Sequence, residues 1–110
     1  MNWKPCNDAA DFQRILAESF QLPQLIFKDS PRCGISRMVK RQVESDWQAD
    51  ESRVQPHILS VIACRDVSNA IANYFQIRHE SPQALLIRNG ALIYHASHHE
   101  IQWQDVMSKL

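Results

Sequence analysis

Apolar residues recur along the chain in two different periods, and the switches between them divide it into elements. Phe12, Ile15 and Leu16 stand at helical spacing, with Asn7 as a cap and Asp8 and Asp11 in the first turn. This predicts a helix over 8–19 that ends before Pro23. The stretch 24–28 is instead apolar without a break at its centre, Leu25-Ile26-Phe27, as in a strand covered on both faces. Helical spacing returns over 34–45, where Ile35, Met38, Val39 and Val43 share one side and Arg37, Lys40, Arg41 and Glu44 the other. The polar segment 47–55 reads as a connection over the surface. Pro56 opens a second buried strand over 57–64, and Val67-Ser68 caps a helix over 69–75 with Ile71, Ala72, Tyr74 and Phe75 as its apolar positions. After a loop over 78–82, strands over 83–88 and 91–96 flank Asn89-Gly90, two residues that tolerate the positive φ of a tight hairpin. Ile101, Val106 and Leu110 mark a closing helix from about 100.

The order is αβαβαββα. Two strands joined by a helix form a right-handed parallel unit, and the hairpin adds an antiparallel pair. A four-stranded mixed sheet covered by helices follows, which is the layout of a thioredoxin-like α/β fold. At 110 residues the chain fits one domain, 1–110, large enough to bury a core without cross-links.

Twelve basic residues balance twelve acidic ones with no block of like charge, so neither nucleic acid nor an anionic membrane surface is expected as a partner. The N-terminus carries no apolar leader and no run has membrane-spanning length, which reads as cytoplasmic. Three widely spaced cysteines, an odd number, point to free thiols rather than a disulfide framework or a zinc site.

The chemistry concentrates in Asp29-Ser30-Pro31-Arg32-Cys33-Gly34-Ile35-Ser36, where the first strand turns into a helix. Unpaired N–H groups and the positive end of the helix dipole favour a thiolate there. Cysteines so placed can have pKa values lowered from about 8.5 to roughly 3.5–7.5. Arg32 is either a cation that tunes the thiol or an ordinary surface charge. Ser36 stands where a Cys-x-x-Cys motif has its second cysteine. Its hydroxyl either hydrogen-bonds the sulfur or satisfies backbone groups of the first turn. Such a thiol, at the C-terminal end of a parallel strand, lies in the crevice where open α/β sheets bind ligands. The loop His79-Glu80-Ser81-Pro82 enters the same crevice. A cis Ser81–Pro82 bond would present the Ser81 backbone beside Cys33, where a substrate can pair as an added strand.

Pro31-Arg32-Cys33-Gly34-Ile35-Ser36, Val67-Ser68-Asn69-Ala70-Ile71-Ala72, His79-Glu80-Ser81-Pro82-Gln83 and Asn89-Gly90 with Ser97-His98 together resemble the monothiol bacilliredoxins, the bacillithiol-system redox-active proteins. The resemblance spans nearly the whole chain. It implies a thioredoxin-like fold, bacillithiol as co-substrate, and S-bacillithiolated proteins or small mixed disulfides as partners. It makes Cys33 the attacking thiol and Pro82 the proline of the active-site loop, with Arg32, Gly34, Ile35, His79 and Ser81 around them. Gly34 departs from the family, whose members often carry Pro or a bulkier residue there. Cys64 is a second departure.

Cys64 reads as a core residue more than a resolving thiol, since bridging to Cys33 needs Cα atoms within about 7 Å. Cys6 reads as incidental. His79, His98 and His99 read as surface or loop-tying residues rather than metal ligands. Trp3, Trp47 and Trp103 suit packing. Three other readings remain open: a glutaredoxin-like reductase using glutathione or another thiol, a non-catalytic redox-sensing adaptor, and an iron–sulfur carrier ligated by Cys33 across a dimer.

Overall fold

The computed structural model describes residues 1–47 and 52–110, so the middle of the predicted 47–55 connection lies outside the described residues. The elements run β1 Lys4–Pro5, α1 Ala9–Glu18, β2 Gln24–Asp29, α2 Gly34–Asp46, β3 Gln55–Ser60, α3 Arg65–Phe75, β4 Gln83–Arg88, β5 Ala91–Ser97, a 3-10 turn His98–Glu100 and α4 Trp103–Met107. Among the described residues, five strands form one sheet in the order β1-β3-β2-β4-β5. β1 and β2 run parallel to β3, while β4 runs antiparallel to β2 and β5 to β4.

The fifth strand corrects the four-strand expectation. Only two residues long and containing Pro5, β1 is too short to show an apolar period, and its edge position is where a sheet accepts proline. The next residue, Cys6, donates its N–H to the Ile58 carbonyl at 2.9 Å and is fully buried, so it is a core residue and not incidental.

Alternation along β2 divides the core into two layers. Ile26 faces α1 and α3 with Phe12, Ile15, Leu59, Ile71 and Leu85. Leu25 and Phe27 face α2 and α4 with Val39, Val43, Leu86, Trp103 and Val106. The three tryptophans pack as expected: Trp47 and Trp103 place ring centroids 4.2 Å apart, and Trp3 sits 5.8 Å from Phe27 while donating to Glu44 at 2.6 Å.

The second long strand is shorter than its apolar run. It stops at Ser60, whose carbonyl accepts the Cys64 N–H at 2.8 Å and whose hydroxyl accepts the Ala63 N–H at 3.3 Å, folding 61–64 into a turn. Helix α3 therefore starts at Arg65, with Cys64 as its cap and Asp66 in its first turn. Ser68 lies inside this helix, fully buried, instead of capping it. At the chain end the helix starts later than its predicted beginning near 100: Ile101 and Gln102 are extended, and α4 begins at Trp103.

Candidate active site

Cys33 is the N-cap of α2, extended at φ −97° and ψ 124°, with no side-chain capping bond of its own. Its N–H reaches back to the Ser30 carbonyl at 2.9 Å, and its carbonyl accepts the Arg37 N–H at 3.1 Å. The thiol is free and half-buried. Arg32 and Gly34 flank it in the open, and Ile35 exposes apolar surface one residue further on.

Ser36 is fully buried beneath this turn. Its hydroxyl donates to Asp29 Oδ1 at 2.6 Å and accepts the Ser30 N–H at 2.9 Å. A hydroxyl has one proton. With that proton on Asp29, Ser36 is not a donor to the Cys33 sulfur, and the alternative reading, a residue that satisfies the turn, is the one the structure supports.

The antiparallel register pairs Lys28 with Gln83, which brings the loop ending at Pro82 to the end of β2 that leads into the Cys33 turn. The Ser81–Pro82 peptide is cis. Pro82 is buried and Ser81 half-buried. The loop is tied on both sides: Pro82 accepts the His98 N–H at 2.9 Å, and Gln83 Nε2 donates to the Arg78 carbonyl at 3.0 Å. Glu80 accepts from the Ser97 hydroxyl, which holds its carboxyl below the usual range. His79 turns Nδ1 inward, 3.3 Å from the Nζ of buried Lys28 and 3.2 Å from Ser68 Oγ.

Residues 4–106 match the model of the family described as monothiol bacilliredoxin BrxC. The chain belongs to this family. Membership makes it a thiol–disulfide oxidoreductase whose partners are protein or low-molecular-weight thiols, and the solved structures it resembles carry the same fold. A thioredoxin-fold protein described as a candidate oxidoreductase superposes with TM-score 0.79 at 24% identity, covering 96% of this chain and 90% of its own. Thioredoxin from Malassezia sympodialis gives 0.73 at 15% identity, with 98% and 87% covered. Thioredoxin from Fasciola hepatica gives 0.72 at 15% identity, with 96% and 94% covered. At these identities the likeness speaks for the fold.

Within the bacilliredoxin scaffold, Cys33 shares its turn with Arg32, Gly34, Ile35 and Ser36, and His79, Ser81 and Pro82 lie on the loop that leads into β4. Cys64 is placed elsewhere. Its thiol, at the cap of α3, points to Asn7 Oδ1 at 3.8 Å and packs against the layer that contains Cys6. Burial pushes the Cys6 thiol up to about 12, with nearby Asp11 adding to the rise, so at neutral pH it is a protonated core group. Among the described residues no cluster of His, Cys, Asp or Glu is arranged to hold a metal ion, and no helix is long and apolar enough to cross a membrane.

Sequence reasoning missed the contacts that Asp29, Lys28 and Ser68 make. The strand period places Lys28 on the same face as Ile26, inside the core, and a charged residue at such a position was the available signal.

Proposed function

We propose that the chain removes bacillithiol from S-bacillithiolated proteins by a one-cysteine cycle in the reducing cytoplasm. The Cys33 thiolate attacks the bacillithiol sulfur of a mixed disulfide. The S–S bond breaks, the substrate cysteine leaves as a thiolate that takes a proton from solvent, and a Cys33–bacillithiol disulfide forms. A second bacillithiol thiolate then attacks the bacillithiol sulfur on Cys33, releasing bacillithiol disulfide and regenerating the enzyme thiolate. In sum, the protein mixed disulfide is reduced and two bacillithiols end as one disulfide.

The observation that carries this reading is the pairing of a half-exposed, uncapped Cys33 with Ser36 hydrogen-bonded to Asp29 where a resolving cysteine would stand. The turn has no internal partner for the sulfur, so a small thiol must reset it. Ser81 supplies the backbone edge for the substrate chain, and Ile35 the apolar surface beside the thiol.

The test is intact mass spectrometry after separate exposure to oxidised bacillithiol and oxidised glutathione, with Cys33→Ser and Cys64→Ser as controls. One adduct on Cys33, formed faster with bacillithiol, is expected. Faster reaction with glutathione would reassign the small thiol. Loss of two hydrogens without an adduct, dependent on both Cys33 and Cys64, would replace the one-cysteine cycle with a dithiol one.

A further inference from the structure

Lys28 is fully buried on the face of β2 that packs against α3. Its neighbours across the sheet are Leu59 on β3 and Gln83 on β4, neither charged. Among the described residues no carboxylate pairs with it. A buried ammonium without a counter-charge is costly, and a position that needed only packing would be filled by Met or Leu. The head group is instead held by two acceptors from separate parts of the chain: the Ser68 carbonyl of α3 at 2.9 Å and His79 Nδ1 of the loop before Pro82 at 3.3 Å. Ser68 Oγ lies 3.2 Å from the same ring nitrogen. His79 as a residue is exposed.

This arrangement fixes a tautomer. With an ammonium facing Nδ1, that nitrogen carries the lone pair and the ring proton sits on Nε2. Protonating Nδ1 would set two cations 3.3 Å apart, so the pair carries one positive charge. The electrostatics agree with the geometry. Burial pushes Lys28 down to about 8, and His79 is held below its ordinary value by burial first, then by Lys28 and Arg65, with Glu80 acting in the opposite direction.

We propose that Lys28 is a positioning residue of the thiol site, its ammonium clamping the 79–82 loop to α3 through His79 and Ser68 and thereby setting the edge that Ser81 offers to a disulfide substrate. The proposal rests on the exchange reading given above. It predicts weaker docking once the ammonium is lost, while a reagent that needs no docking still reacts with Cys33.

Lys28→Met keeps the stem and removes the charged head. In a 15N NMR titration of the His79 ring, the wild type is expected to show a secondary inflection as Lys28 titrates. In Lys28→Met that inflection disappears and the His79 midpoint rises. The same variant is expected to raise KM for a protein mixed disulfide by about tenfold or more, with alkylation of Cys33 by iodoacetamide within about twofold of wild type. His79→Gln, a change at an exposed residue, carries the kinetic test if Lys28→Met fails to fold. An unaltered His79 titration in Lys28→Met, or equal losses in alkylation and exchange, overturns the proposal. Wild-type protein that alkylates at Cys33 but exchanges with no mixed disulfide overturns the exchange reading and the docking role with it. The His79 titration reports the Lys28 contact in either case.

Discussion

At the scale of single residues, the site depends on where one hydroxyl proton goes. Ser36→Ala leaves Asp29 Oδ1 and the Ser30 N–H without their buried partner. The expected cost is about 1–3 kcal/mol in urea unfolding, with exchange reduced rather than abolished as in Cys33→Ser. Gly34 is open to improvement. A Cβ there meets nothing within 4 Å, and Cys33 already has the extended conformation required before proline. Gly34→Pro at the first helical position should therefore stabilise by about 0.5–1 kcal/mol, read as a rise in Tm. A fall would mean that the Gly34 N–H has a partner in solution. His57 sets the acid limit. Its Nε2 meets Gln24 Oε1 at 2.7 Å, and Gln24 Nε2 donates to the Leu22 carbonyl, so Oε1 accepts from the ring Nε2–H while Nδ1 is buried without a partner, where a proton would have no acceptor. Burial pushes His57 down to about 4, with Lys4 and Arg14 adding to the fall. The unfolded chain then binds more protons between about 6.5 and 4, and stability drops as pH falls through that window by up to about 3 kcal/mol. His57→Gln should flatten that part of a plot of urea midpoint against pH.

Elements meet the site through their ends more than through their middles. The β4–β5 hairpin is set by Asn89 at φ 53° and Gly90 at φ 74°, the left-handed pair its sequence demands. Its tip is also fastened to the end of α1, where Ser19 accepts the Asn89 N–H at 2.8 Å on its carbonyl and the Gly90 N–H at 2.9 Å on its hydroxyl. A Cβ on Gly90 would come within 3.0 Å of the Phe20 ring, which is exposed and can move aside, so the backbone conformation is the larger obstacle. Gly90→Ala is expected to cost about 1–2 kcal/mol by thermal unfolding, and Phe20→Ala in the same chain should recover only a small part of it. The hairpin was legible because its turn chemistry is local. The start of α3 was not, since its cap is Cys64, a residue outside the usual capping set, and the helix is held by what it packs against.

Across the whole molecule, two buried groups shape the alkaline side of stability in opposite directions. Lys28 titrates at about 8 when folded and near 10.5 when unfolded, so the unfolded chain holds more protons in between and stability rises with pH over that interval. Cys6, raised to about 12 from 9, does the reverse and loses stability as pH climbs through its window. The sum is a rise that starts near pH 8, an interval of cancellation, and a decline above about 10.5. Urea midpoints measured against pH should show the early rise vanish in Lys28→Met and the late decline vanish in Cys6→Ala. Survival of either feature in its variant would mean that the group is not buried as described.

Local pattern alone determined the four long strands, the helix after Cys33, the hairpin and the thiol turn itself, because periodicity, turn residues and a cysteine between strand and helix are all read within a few positions of one another. Tertiary structure decided what needed partners from distant segments. It recruited Lys4–Pro5 as an edge strand through pairing with β3, gave the Ser36 proton to Asp29, sent Cys64 toward Asn7, and buried Lys28 where Ser68 and His79, 40 and 51 residues away, hold its head group. The physical reason is common to all four. A hydrogen bond or a buried charge is settled by which acceptor the folded chain brings within about 3 Å, and spacing along the sequence does not contain that distance.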